Sequence, residues 1–157
     1  IAIIHGPITT TPGVGRLRGY QTAMEAADVP VDPEYVLEGD FRTESGYELA
    51  NHLMSLPDPP TAIIGGNNLM TMGIFRRLRD MDVPIPDRVS LIGFDDFSLA
   101  AYLSPPLTVV DRPMSDMGRL AADLLLSRIE KRETGPVRRV VLTTALKVRG
   151  SCRSLSG

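Results

Sequence analysis

Apolar residues fall along the chain in two alternating patterns. Short unbroken runs, such as Ile-Ala-Ile-Ile at 1–4 and Ala-Ile-Ile at 62–64, read as strands buried on both faces. Between the runs, apolar positions recur every three or four residues, the helical period. The pattern predicts strands at 1–5, 35–37, 61–65, 89–94 and 107–110, with two more at 140–142 and 146–148. Helices are predicted over about 12–27, 44–56, 69–81 and 114–130, with a short helical turn near 98–102. Their apolar stripes carry Leu17, Tyr20, Met24 and Ala27 in the first, and Tyr47, Ala50 and Met54 in the second. Met70, Ile74, Leu78 and Met81 form the third stripe. Thr11 and Thr43 are expected to cap the first two helices, with Pro12 at the first helical position. Gly6-Pro7, Val29-Pro30 and the prolines at 57, 59 and 60 mark the breaks, and residues 150–157 read as a frayed tail.

Strand–helix alternation with continuous apolar strands predicts an α/β fold: a doubly wound, mostly parallel sheet flanked by helices. One element fits poorly. Helix 114–130 carries a wide stripe (Met117, Leu120, Ala121, Leu124, Leu125, Ile129) but follows a Pro-bounded strand, as if it packed on a different sheet. The chain is therefore expected to contribute to two subdomains. The opening at Ile1, directly in an apolar run, also reads as a piece of something longer.

The 157 residues are 43% hydrophobic and 23% charged, enough for one domain with a real core. No apolar run approaches the length of a membrane-spanning helix, and no signal segment is seen. The formal net charge is −2 with both signs interspersed, which argues against these residues gripping DNA directly. A single cysteine, Cys152, makes neither an intrachain disulfide nor a thiolate metal site.

In a doubly wound sheet, ligands bind at the carboxyl ends of the strands. The polar groups expected there are His5 with Arg16 in the helix that follows, Asp40-Phe41, Asn67-Asn68, and Asp95-Asp96. Their chemistry suits a polyol: a carboxylate accepts from hydroxyls, an amide donates and accepts, and a guanidinium donates in a fixed fork. Phe41 can cover an apolar ring face. Each also has a plainer role: Asn67 or Asn68 as a helix cap, Asp95 as a turn cap, Arg16 in a surface ion pair, Phe41 as satellite core. Enzyme chemistry finds less. Asp95-Asp96 could suggest a magnesium site, but neighbouring residues on a strand point to opposite faces and no second acidic strand end joins them. Lys131 and Lys147 lie away from the rim, His5 and His52 lack metal-ligand spacing, and no phosphate-binding or nucleophile motif appears. No catalytic residue, metal or cofactor is expected.

Several segments resemble the effector-binding region of the lactose/galactose repressor family of transcriptional regulators. They are IAIIHGP, GRLRGYQTAM, EGDFRTESGYELA, PPTAIIGGNNLMTMGIFRRLRD, VPIPDRVSLIGFDDFSLAAYLSPPLTVV and DMGRLAADLLLSRIE, in the family's order across nearly the whole chain. The resemblance implies a type I periplasmic-binding-protein-like fold. Residues 1–110 and 141–157 would form the C-terminal effector-binding subdomain, and 111–140 would pack on a mostly absent N-terminal subdomain. The implied function is ligand sensing in a cytoplasmic repressor, with a sugar or related effector in an inter-subdomain cleft controlling operator affinity. The implied partners are a second copy of the chain and operator DNA, the latter through a head upstream of Ile1, with no membrane. The implied effector contacts are Arg16, Phe41, Asn67 and Asp95, joined by Arg112, Pro12 and Met114. Met72, Ile74, Phe75, Leu78 and Tyr102 would form the dimer face, although Ile74 and Leu78 also fit the chain's own core. Three positions depart from the family pattern: Asn68 stands where many members have Asp, Pro12 where a hydroxyl is common, and Arg112 where Gln is common. The alternatives are a periplasmic sugar-binding transport protein on the same fold and, further off, a nucleoside hydrolase or reductase on a doubly wound sheet.

Overall fold

The computed structural model describes residues 1–154. Six strands form one sheet: β1 (Ala2–His5), β2 (Val36–Glu38), β3 (Ala62–Gly65), β4 (Ser90–Phe94), β5 (Thr108–Asp111) and β6 (Ala145–Lys147). Four helices connect them: α1 (Thr11–Ala26), α2 (Thr43–Met54), α3 (Asn68–Asp80) and α4 (Met114–Ile129). The strand order is β2-β1-β3-β4-β5-β6. The first five strands are parallel and β6 runs antiparallel to β5. The chain leaves β1 toward β2 on one side and returns to β3 on the other, so the switch point lies between β1 and β3. No helix among the described residues is long and apolar enough to cross a membrane.

Side chains alternate along the strands to build two unequal cores. Ile4, Ile63, Leu91 and Val109 point to the face covered by α2 and α3, where they meet Leu53, Met70, Ile74 and Leu78, all fully buried. α2 and α3 approach each other through glycines. A Cβ on Gly46 would lie 2.2 Å from the Met70 carbonyl oxygen, and one on Gly73 2.0 Å from that of Thr43. The opposite face has only α1, which packs Tyr20 and Met24 against Ile3, with Leu17, Val36 and Ile64 around them.

Capping moves by one residue from the sequence expectation. Thr10, not Thr11, caps α1 by accepting the Gly13 amide at 3.1 Å, and Pro12 is the second helical residue. Thr43 is the first residue of α2; Arg42 precedes it and makes no side-chain cap. Asn67 caps α3. Ala27 is exposed, beyond the end of α1.

Two further differences concern the chain's last part. Residues 140–142 form no strand: Val140 and Val141 are exposed and no neighbouring strand supplies a ladder. The tail expected to fray is docked as far as it is described. Ser151 is fully buried and bridges two strands, its Oγ donating to the Leu91 carbonyl (2.6 Å) and accepting from the Thr108 amide (2.8 Å). These groups precede the β4–β5 ladder, which begins at the Ile92–Thr108 pair, so the tail satisfies polar atoms that the sheet leaves open. Residues 155–157 of the expected tail lie outside the described residues.

Candidate ligand cleft

The carboxyl ends of β1 to β5 bring Arg16, Phe41, Asn67, Asp95 and Arg112 into one contiguous set. The loop after β2 carries Phe41 to the end of β1. Phe41 has φ +67°, a left-handed conformation that an aromatic residue seldom adopts. Such a conformation costs on the order of 1–3 kcal/mol and persists only where surrounding contacts impose it. Here there are two. Asn67 donates from Nδ2 to the Phe41 carbonyl at 2.9 Å. The ring fills the space beside Gly6, where a Cβ would fall 1.8 Å from Phe41 Cζ. Asn67 also accepts the Met70 amide at 2.9 Å as the α3 cap. It is thus both a cap and the anchor of Phe41, with one amide N–H left over.

Arg16 lies in the second turn of α1 and reaches across the switch point to donate from Nη1 to the Gly66 carbonyl. Its guanidinium stands 4.7 Å from the Phe94 ring centroid and 5.9 Å from that of Phe41, within cation–π range of both. Burial lowers the pKa of Arg16. Asp95 pushes it back up, and the neighbouring charge of Arg112 lowers it.

Asp95 follows β4 with φ +68°, a conformation that Asp tolerates better than most residues. Its amide donates to the Val110 carbonyl (2.9 Å), and its Oδ1 receives Arg112 Nε at 2.5 Å. Asp96 turns elsewhere. It accepts from Arg149 Nη2 at 2.8 Å and from Lys147 Nζ at 2.9 Å, and Lys147 also pairs with Asp111 at 2.8 Å. This cluster ties β6 to the ends of β4 and β5. The bond from Arg149, foremost, holds the Asp96 carboxyl below its usual range, and the bonds that Lys147 donates to Asp111 and Asp96 raise Lys147.

Behind the rim, a groove of about 590 Å³ runs between α1 and the uncovered part of the sheet. Pro12, Arg16 and Arg112 line it beside Ile92, Phe94 and Val110. Met114 does not line it and is 57% exposed at the start of α4. His5 is buried, its Nδ1 2.7 Å from the Gly6 carbonyl oxygen. Among the described residues, no group of three or more His, Cys, Asp or Glu side chains could hold a metal. Sequence reasoning missed Phe94 and the Asp96 cluster; it set Lys147 away from the rim, and the structure brings that side chain to Asp96. Phe94 was legible: alternation along β4 puts it on the face of Ile92, beside α1.

On the implied dimer face, the structure separates the residues. Ile74 and Leu78 are fully buried and Phe75 is 9% exposed, so these three belong to the chain's own core and offer little to a partner. Met72 is partly exposed and Tyr102 is 84% exposed.

A parallel sheet with a polar rim at its switch point is the architecture of a doubly wound ligand-binding domain. The sequence agrees: the model of the periplasmic binding protein-like domain matches residues 1–152, and the chain belongs to that family. Its relatives are transcriptional regulators, and several similar structures are named as LacI regulators or members of the LacI family, in line with the resemblance of the motifs. The ribose operon repressor of Escherichia coli K12 is 37% identical over 151 residues, 96% of this chain and 46% of the relative. The HTH-type transcriptional repressor PurR of Escherichia coli O139:H28 is 38% identical over 136 residues, 87% of this chain and 40% of the relative. Among solved structures, a transcriptional regulator CelR–cellobiose complex superposes with a TM-score of 0.87 at 39% identity, over 96% of this chain and 46% of that one. A LacI regulator from Bacillus cereus subsp. cytotoxis gives 0.90 at 32% identity, over 97% of this chain and 54% of that one. The chain spans about half the length of the curated relatives it matches.

Proposed function

We propose that this chain is the ligand-sensing part of a cytoplasmic bacterial transcriptional repressor, and not an enzyme. The observation that carries the reading is the Arg16–Phe41–Asn67–Asp95–Arg112 set at the switch point. With Phe94 beside Arg16, it supplies converging donors, an acceptor and two aromatic faces, the equipment of a small-molecule site. A sugar or sugar-like effector is the first choice, because two relatives are named for ribose and cellobiose. Those relatives are regulators, which favours this reading over a periplasmic transport protein.

In this account residues 1–110 and 141–157 form one lobe, and 111–140 belong to a second lobe completed by further chain, a reading supported by relatives about twice as long. Effector binding between the lobes favours one relative orientation, and the preference passes to a DNA-binding head upstream. The coupling is a difference in effector affinity between two states and acts equally in both directions. Arg112 stands where the chain leaves β5 for α4, so a ligand that engages Asp95 also perturbs the root of the excursion. The protein acts as a homodimer, with Met72 and the Tyr102 region as the surfaces left for a second copy.

The test is operator binding by the intact protein with and without effector. Arg16→Ala and Asp95→Ala should each abolish the effector response while the far-ultraviolet circular dichroism stays that of the parent. Unchanged effector affinity in both variants would refute the site.

A further inference from the structure

The charges inside the cleft do not balance. Two guanidiniums, Arg16 and Arg112, line the groove, against one carboxylate, Asp95, at its rim. The nearby acid, Asp95, is paired with Arg112 at 2.5 Å and is only 19% exposed. Asp96 is held by Arg149 and Lys147, and Asp111 by Lys147. Of the acids at the end of β2, Asp40 faces Arg42 at 4.0 Å, and Glu38 is exposed, with Oε2 3.4 Å from the Ile8 amide. Among the described residues, no carboxylate lies within 4 Å of Arg16. Its hydrogen bond goes to a neutral carbonyl, and Phe41 and Phe94 stand against it. A half-buried cation flanked by aromatic rings loses hydration that a neutral carbonyl only partly replaces. Burial lowers its pKa, and the nearby charge of Asp95 restores it only in part.

We infer that the ligand of this cleft carries an oxyanion, a carboxylate or a phosphate, which pairs with Arg16 while its hydroxyls are read by Asp95. This rests on the sensing function proposed above and narrows its ligand from polyols at large to anionic ones. The guanidinium fork fits either oxyanion in a two-point contact. Arg112 then has two states. It stays on Asp95 in the empty cleft, and it turns toward the anion when ligand hydroxyls take the carboxylate.

The experiment uses the intact protein with inorganic phosphate and acetate as probes and ribose as the neutral control. Binding is read from the thermal midpoint at constant ionic strength, with chloride as the balancing ion so that general screening cancels. One of the two anions should bind, and its shape tells whether the site suits a phosphate or a carboxylate. Arg16→Gln should weaken that anion about tenfold or more, the loss of a charge-assisted contact. Arg16→Lys should retain part of the binding, which separates lost charge from lost fold. Asp95→Asn should strengthen anion binding severalfold, because it frees Arg112 and removes the one competing negative charge. If neither anion binds, or if binding ignores Arg16→Gln, the inference is overturned. Ribose binding that depends on Asp95, with no anion binding, would overturn it while leaving the sensing function standing. If neither anions nor ribose bind, and the Asp95 and Arg16 variants respond to effector as the parent does, both readings fall.

Discussion

The body of the sheet and the excursion between β5 and β6 are built on opposite terms. In the body, every strand from β1 to β5 except the short edge strand β2 contributes fully buried or nearly buried side chains, and α2 and α3 close one face over them. In the excursion, no residue of α4 is buried, and Leu125, Leu126 and Ile129 are each about half exposed or more. α4 nonetheless carries a wide apolar stripe at helical spacing. Periodicity reports that a helix has an apolar face. It does not report what covers that face.

The same contrast orders the expected effects of mutation. The largest belongs to the body. Leu91→Ala should destabilise the chain by about 2–5 kcal/mol in denaturant unfolding, the range for deleting a fully buried leucine side chain. Leu125→Ala on α4 should stay within about 0.5 kcal/mol in the same 157-residue chain. Repeated in the intact protein, Leu125→Ala should become clearly destabilising, because the proposed second lobe would then cover it. Equal small effects in both settings would break the two-lobe account.

Next comes the seam where the docked tail closes the body. Ser151→Ala removes the partner of the Thr108 amide and of the Leu91 carbonyl at once. Unsatisfied buried groups cost about 1–3 kcal/mol, so unfolding should shift by that amount. A neutral result would mean that the tail is not docked in solution.

The ion cluster that fastens β6 gives a pH dependence with a definite sign. Asp96 has a lowered pKa in the folded chain, so its stabilisation is present above the ordinary carboxylate range and is lost as pH falls below about 4. Lys147 is raised, so its share is present below its ordinary range and is lost at strongly alkaline pH. Asp96→Asn should flatten part of the acid limb of the stability curve; an unchanged limb would remove the cluster from the account. At the first cap, Thr10→Ala should cost about 1 kcal/mol by loss of the bond to the Gly13 amide.

These contrasts also mark how far the sequence could be read. The doubly wound parallel sheet followed from alternation and handedness, and the places of Arg16, Phe41, Asn67 and Asp95 followed from the rule that such sheets bind ligands at the carboxyl ends of their strands. Lost to the sequence were features set by long-range satisfaction of polar atoms. Ser151 looks like tail chemistry until the open amide of Thr108, 43 residues away in sequence, is seen beside it. Asn67 could be recognised as a cap, but its hold on Phe41 depends on a loop 26 residues distant. Residues 140–142 have strand composition and no strand to pair with. Ile74 and Leu78 fit both a core and a dimer stripe, and only burial decides between them.

Amide hydrogen exchange, measured on the 157-residue chain and on the intact protein, tests most directly whether this chain is one lobe of a two-lobed sensor. An isolated helix of 16 residues without tertiary cover is marginal in water. In the 157-residue chain, amides of β1, β3 and β4 should therefore exchange slowly, and those of 115–144 close to unfolded rates. In the intact protein both sets should be protected. Strong protection of 115–144 in the shorter chain would contradict the account, because the excursion would then be stable without a second lobe.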